Sequence, residues 1–195
     1  MTSYQHKNRQ SKLQPRSPRK IRKPTLQRLE NIALYYLTRY EANTQKLRNV
    51  LMRRIEKAVY EKLIDKDTGC EMVEKIVKKA VDEKWIDDQR FADLYARKFF
   101  GQGYPYHVVK LKMHQKNIES SLINQALEEF LKNEDLDHEE QQWQQIKRFA
   151  KRKHIGPYCL QDRLQRRKKH LGILARNGFS FELASKIIDA DLDDL

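Results

Sequence analysis

Residues 113–127 read MHQKNIESSLINQAL, and residues 174–188 read LARNGFSFELASKII. Aligned from their first members, Met113, Ile118, Leu122, Ala126 and Leu127 keep the spacing of Leu174, Phe179, Leu183, Ile187 and Ile188. Offsets of 0, 4, 8 and 9 from Ile118 and from Phe179 fall on one stripe of an α-helix. Asn117 and Gly178, just before, tolerate the positive φ found past a helix C-terminus. Glu119 with Ser120 in one copy, and Ser180 in the other, supply N-terminal capping or dipole-complementing groups. Each stretch therefore predicts a helix end, a tight turn and a second helix, with Leu122 and Leu183 buried at equivalent positions. A unit repeated in this way cannot bury its stripe alone, which implies stacked neighbours.

Reading outward from these stretches, Leu26, Leu29, Ile32, Ala33, Tyr36 and Leu37 predict a first helix from Thr25 to about Tyr40, with Asn43 or Thr44 capping the next. That long second helix carries Leu47, Val50, Leu51, Ile55, Ala58 and Val59. A loop around Asp65, Lys66, Asp67, Thr68 and Gly69 leads to a third helix, in which Met72, Ile76 and Val77 repeat the 4, 8, 9 part of the pattern. Asp87 and Asp88 open a helix with Phe91, Ala92, Leu94, Tyr95 and Phe99, closed by a loop from Gly101 to Pro105. An acidic linker from Asn133 to Glu140 precedes a helix with Trp143, Ile146, Phe149 and Ala150. Gly156 and Pro157 end it before a basic helix from about Leu160 to Arg176. The predicted organisation is all-α: a disordered basic tail over residues 1–25, then related units over 26–86, 87–132 and 138–190, the first enlarged between Leu47 and Met72.

Positive charge is concentrated in two places. Residues 1–28 carry nine Lys or Arg and no acid, and residues 147–176 carry eleven against Asp162 alone, whereas residues 29–146 and 177–195 are net acidic. That distribution fits a polyanionic partner. The tail is either a solubilising segment or an arm lying along phosphates. In the later segment, Arg163, Arg166, Arg167, Lys168 and Lys169, with Arg176 beyond, are expected to face outward while Leu164, Leu171 and Leu174 face the core. A plain solvated face is the alternative, but such faces usually intersperse both signs. Lys110, Lys112 and Lys116 lie on the corresponding helix of the second unit, opposite Val109 and Met113, and suggest a continuous positive track.

Other residues point away from chemistry. Asp87 and Asp88 read as caps rather than a catalytic pair, and Arg90 is ambiguous, its bland reading being an exposed helix pair with Asp87. Trp85, Phe91, Tyr95, Phe99 and Phe100 have core spacing, leaving Tyr104 and Tyr106 as candidates for surface contact. Cys70 and Cys159 and the six His are scattered without metal-ligand spacing, and there is no phosphate-cradling loop or nucleophile elbow. The expectation is a cytoplasmic protein without cofactor, metal, enzymatic activity, secretory signal or membrane segment. A helix-turn-helix repressor is disfavoured because no unit offers a clear polar recognition helix.

Trp85, Ile86, Asp87, Asp88, Gln89, Arg90, Phe91 and Ala92 resemble a motif of the RecX family of bacterial recombination regulators. Gly103 with Tyr104, and the run from Arg176 to Glu182, are similar to that family as well, so the resemblance covers roughly residues 29–190. It implies three tandem three-helix repeats in an elongated, curved array, with the region of Arg90 supporting packing between units. It also implies a monomeric modulator that lies in the groove of the RecA filament on single-stranded DNA and suppresses its ATP hydrolysis, strand exchange and coprotease function, thereby acting on recombination, DNA repair and the SOS response. The alternative reading is a helical repeat protein that binds nucleic acid without regard to sequence and without a RecA partner.

Overall fold

Helix starts are set by short polar side chains. Thr25, Asn43, Asp65, Asp87 and Ser180 each sit in extended backbone and accept a hydrogen bond from the amide three residues on. In this computed structural model, which describes residues 21–132 and 138–192, the helices are α1 Leu26–Leu37, α2 Thr44–Tyr60, α3 Lys66–Asp82, α4 Asp88–Gly101, α5 Tyr106–His114, α6 Ser120–Lys132, α7 His138–Lys153, α8 Arg163–Arg176 and α9 Phe181–Asp189. A single 3-10 turn, Gly156–Tyr158, lies between α7 and α8, and no strand occurs among the described residues. The expected tail lies largely outside the described residues. Its last part is described: Arg28 Nη1 donates to Lys23 O at 2.9 Å, and Pro24 is half-buried.

Three apolar clusters follow the helix order. Leu29, Leu47, Leu51, Ile55 and Val73 centre the packing of α1–α3. Phe91, Phe100, Val109, Met113 and Leu127 centre that of α4–α6, and Ile146, Phe149, Leu174 and Ile187 that of α7–α9. Tyr104 packs against both the second and the third cluster. The left-handed turns read from the sequence are present, with φ of 56° at Asn117 and 87° at Gly178.

Several expectations are corrected. Leu122 and Leu183 are half-buried, while Ile123 and Ala184 beside them are buried. Ile118 and Phe179 precede the first helical residues, Ser120 and Phe181, and so do not fix the helical phase. The face is instead centred on Ile123, Ala126 and Leu127, and on Ala184, Ile187 and Ile188. The segment around Asp65–Gly69 is the first turn of α3 rather than a loop, and Gly69 lets α3 approach α2 where a Cβ would overlap Ile55 Cγ2. Within the first triplet α2 has 17 residues, against nine in α5. Counting back from Met72, Leu122 and Leu183, α3 also starts about one turn earlier than α6 or α9. Glu139 and Glu140 belong to the first turn of α7, so the acidic linker is shorter than expected.

Two joints connect the triplets, and each uses the start of a middle helix against the left-handed turn of the next triplet. At the first, the buried side chain of Asn43 donates through Nδ2 to Lys116 O and Asn117 O at 3.3 and 2.8 Å. Asp88 Oδ1 accepts from Thr44 N at 2.7 Å, and Arg90 pairs with Glu41 at 3.3 Å rather than with Asp87. At the second, His107 and Val108 close on Gly178, where a Cβ would stand 2.5 and 2.6 Å from their side chains. Gly103, at φ 78°, lies against the α7 backbone, where a Cβ would overlap Gln145 O and stand 2.5 Å from Phe149 N.

Candidate functional site

The arginines of α8 do not form a free outward cluster. Its inward stripe runs Arg163, Arg167, His170, Leu174, so the first two turns point arginine, not leucine, toward α9. Arg163 donates through Nε and Nη2 to Ile188 O at 3.2 and 2.7 Å, and also through Nη2 to Ala190 O. It thereby satisfies carbonyls at the end of α9, where a cation is favoured. Arg167 forks onto Asp189 with contacts of 2.9 and 2.6 Å, which raises its own pKa and holds the Asp189 carboxyl below its ordinary value. Leu164, one step around from this stripe, is 87% exposed instead of core-facing, and Leu160 lies before the helix. Arg166 lies 3.9 Å from Asp162, and Lys168, Lys169 and Arg176 are exposed.

A different set of cations is brought together across the second joint. Ring centroids follow one another at 5.6 Å from Tyr95 to Phe99, 6.4 Å from Phe99 to Tyr104 and 5.5 Å from Tyr104 to Phe149. Cations cover this ladder. Lys116 and Lys98 stand 5.6 and 5.3 Å from the Tyr95 centroid, and Lys112 stands 4.4 Å from that of Tyr104. Arg152 is 5.1 Å from the rings of both Tyr104 and Phe149. At these distances each cation gains about 0.5–1 kcal/mol from the ring quadrupole.

Among the described residues no carboxylate pairs with Lys98, Lys112, Lys116 or Arg152, in contrast to Arg48 with Glu74 or Lys79 with Glu30. Of the second-unit lysines read from the sequence, the ladder therefore gathers Lys112 and Lys116, while Lys110 is half-buried without a ring contact. The sequence reading missed Lys98 and the specific role of Arg152. Tyr104, expected as a free surface group, is half-buried between two cores. Burial pushes its hydroxyl pKa up, but the adjacent Arg152 guanidinium and the charges of Lys112 and Lys153 outweigh that and hold it below the ordinary 10.0.

His170 is the buried titratable group beneath the α8 cations. Its Nδ1 accepts from Gly156 N at 3.3 Å, and burial, then Arg166 and Lys169, depress its pKa below 6.5. By accepting that bond it holds the 3-10 turn. Cys70 and Cys159 are half-buried free thiols. Among the described residues no group of three or more His, Cys, Asp or Glu side chains is arranged to hold a metal ion, and no helix is long and apolar enough to cross a membrane.

No protein-family model matches the chain. It is 31% identical over 179 residues to the regulatory protein RecX of Myxococcus xanthus strain DK1622, covering 91% of each chain. It is 27% identical over 162 residues to the regulatory protein RecX of Streptococcus uberis, covering 81% of this chain and 53% of that relative, so it spans about half of the latter's length. A crystal structure of a regulatory protein RecX superposes with a TM-score of 0.53 at 23% identity, over 85% of this chain and 72% of that one, and shares its helical fold. With nearly a third of its residues in common with a relative along almost the whole of both, this chain belongs to the RecX family of regulatory proteins.

Proposed function

We propose that this protein binds the RecA–single-stranded DNA filament in its groove as a cytoplasmic monomer and inhibits RecA ATP hydrolysis, strand exchange and coprotease activity, acting by occupancy rather than by chemistry of its own. Membership of the RecX family carries the RecA side of this reading. The carboxylate-free row of Lys116, Lys98, Lys112 and Arg152 across two helix triplets supports a polyanion on the other side. We read the triplets as tandem copies over 26–86, 87–132 and 138–190, because both joints place the start of a middle helix on the following left-handed turn. A groove-binding protein needs such an extended, repeating face.

The test is ATP hydrolysis by the cognate RecA on single-stranded DNA, with this protein added up to the RecA concentration. The rate should fall in proportion to the protein added. An unchanged rate at equal concentrations removes RecA as the target and leaves a sequence-independent nucleic-acid binder.

A further inference from the structure

We propose that Lys112 and Arg152, which share the Tyr104 ring, form a clamp for the phosphodiester backbone of single-stranded nucleic acid, with Tyr104 as the positioning residue. This deepens the nucleic-acid side of the reading above and rests on it. The two cations come from α5 and α7, helices of different triplets, and meet only because the second joint is closed. Neither has a carboxylate partner among the described residues, whereas Arg163 and Arg167 of the more basic α8 are both held by the end of α9. Charge that is not neutralised within the fold is available to a ligand.

The ladder also indicates which polyanion it takes. Phe99 is 8% exposed and Phe149 is 0% exposed, and Tyr104 is half-buried with cations over its ring. None of the four ladder rings is exposed, Tyr95 being half-buried beneath Lys98 and Lys116, whereas base stacking needs an open ring face. The ladder's own rings likewise offer no exposed apolar centre of the kind on which protein interfaces concentrate their energy, the exposed Leu94, Tyr106 and Leu111 of α4 and α5 lying outside it. A phosphate needs neither: it takes a guanidinium fork and an ammonium, the two groups that Tyr104 gathers. Lys98 and Lys116 on Tyr95 extend the same surface along α4 and α5.

The experiment uses the full chain and a fluorescent oligo-dT strand, with binding followed by anisotropy over a series of salt concentrations. Each phosphate contact on single strands contributes about 0.7 to the slope of log affinity against log salt. The double variant Lys112→Gln/Arg152→Gln should therefore flatten that slope by about 1.4 and lose affinity equally for dT and mixed sequences. Lys66→Gln/Lys75→Gln makes the same charge change on α3, off the ladder, and should keep the slope. Tyr104→Phe retains the ring and should stay near the parent slope, while Tyr104→Leu should flatten it, an effect that lost packing alone does not produce.

Equal flattening by both double variants would mean a diffuse field and overturn the clamp. So would an unchanged slope accompanied by loss of binding to the RecA filament alone, which would assign the ladder to an acidic protein surface. Because naked DNA is the probe, a clamp that behaves as stated while RecA hydrolysis is unaffected leaves this inference standing and removes the RecA reading.

Discussion

The amide of Asn43 joins three backbone groups. Its Oδ1 caps α2 at Lys46 N at 2.9 Å, and its Nδ2 reaches two carbonyls of the next triplet. Asn43→Ala should cost about 1–2 kcal/mol in a urea titration, more than Thr25→Ala, whose cap is exposed and has no second role. The same measurement separates neighbouring core residues. Ile123→Ala should cost about 2–5 kcal/mol and Leu122→Ala less, because Ile123 is buried and Leu122 only partly so. The sequence placed the stripe correctly to within one residue, since Ala126 and Leu127 are buried. It misjudged Leu122 because a residue before the helix was counted as part of the helical period. The cap at Asn43 was legible from residue type, but its two long-range bonds were not, because no local pattern reports a contact with Lys116 and Asn117.

At the scale of one element, α8 shows where composition and orientation part. Its basic composition was plain, yet spacing alone could not say that Arg163 and Arg167 share the stripe of His170 and Leu174. Only the carbonyl end of α9 makes that arrangement favourable. Arg163→Glu/Arg167→Glu, which an outward cluster would tolerate, should instead lower the melting temperature, because new carboxylates would face Asp189, Asp191 and the unsatisfied carbonyls. Arg163→Gln alone should cost about 1–3 kcal/mol through the acceptors it leaves. A pH titration reads the middle of the helix. His170 has a folded-state pKa below its ordinary 6.5, so the folded protein binds fewer protons than the unfolded chain just below that pH. Stability should therefore be full above about pH 6.5 and decline as pH falls toward the depressed value. His170→Gln should remove that slope, as measured by melting temperature at several pH values.

Across the molecule, the two joints differ in what holds them. The first is made by polar side chains reaching backbone, and the second by a close approach that only glycine allows at Gly103. Gly103→Ala combines a positive φ with overlap on α7, so it should cost more than about 1–2 kcal/mol and speed amide hydrogen exchange in α7–α9. All-α class and the left-handed turns were legible from period and residue type. The cation ladder was legible only in part, because Lys112 and Arg152 are brought together by tertiary packing rather than by spacing. The joints also bear on descent. Tyr104 belongs to two cores and to the ladder, so the second and third triplets cannot be exchanged or lost separately without dismantling all three. The first triplet is fastened mainly by polar contacts to backbone, the Asn43 amide reading main-chain carbonyls whatever side chains they carry and Asp88 accepting from Thr44 N, with one ion pair of Arg90 and Glu41. It is the module freer to vary in length, and its α2 and α3 each have 17 residues against nine in α5 and 13 in α6.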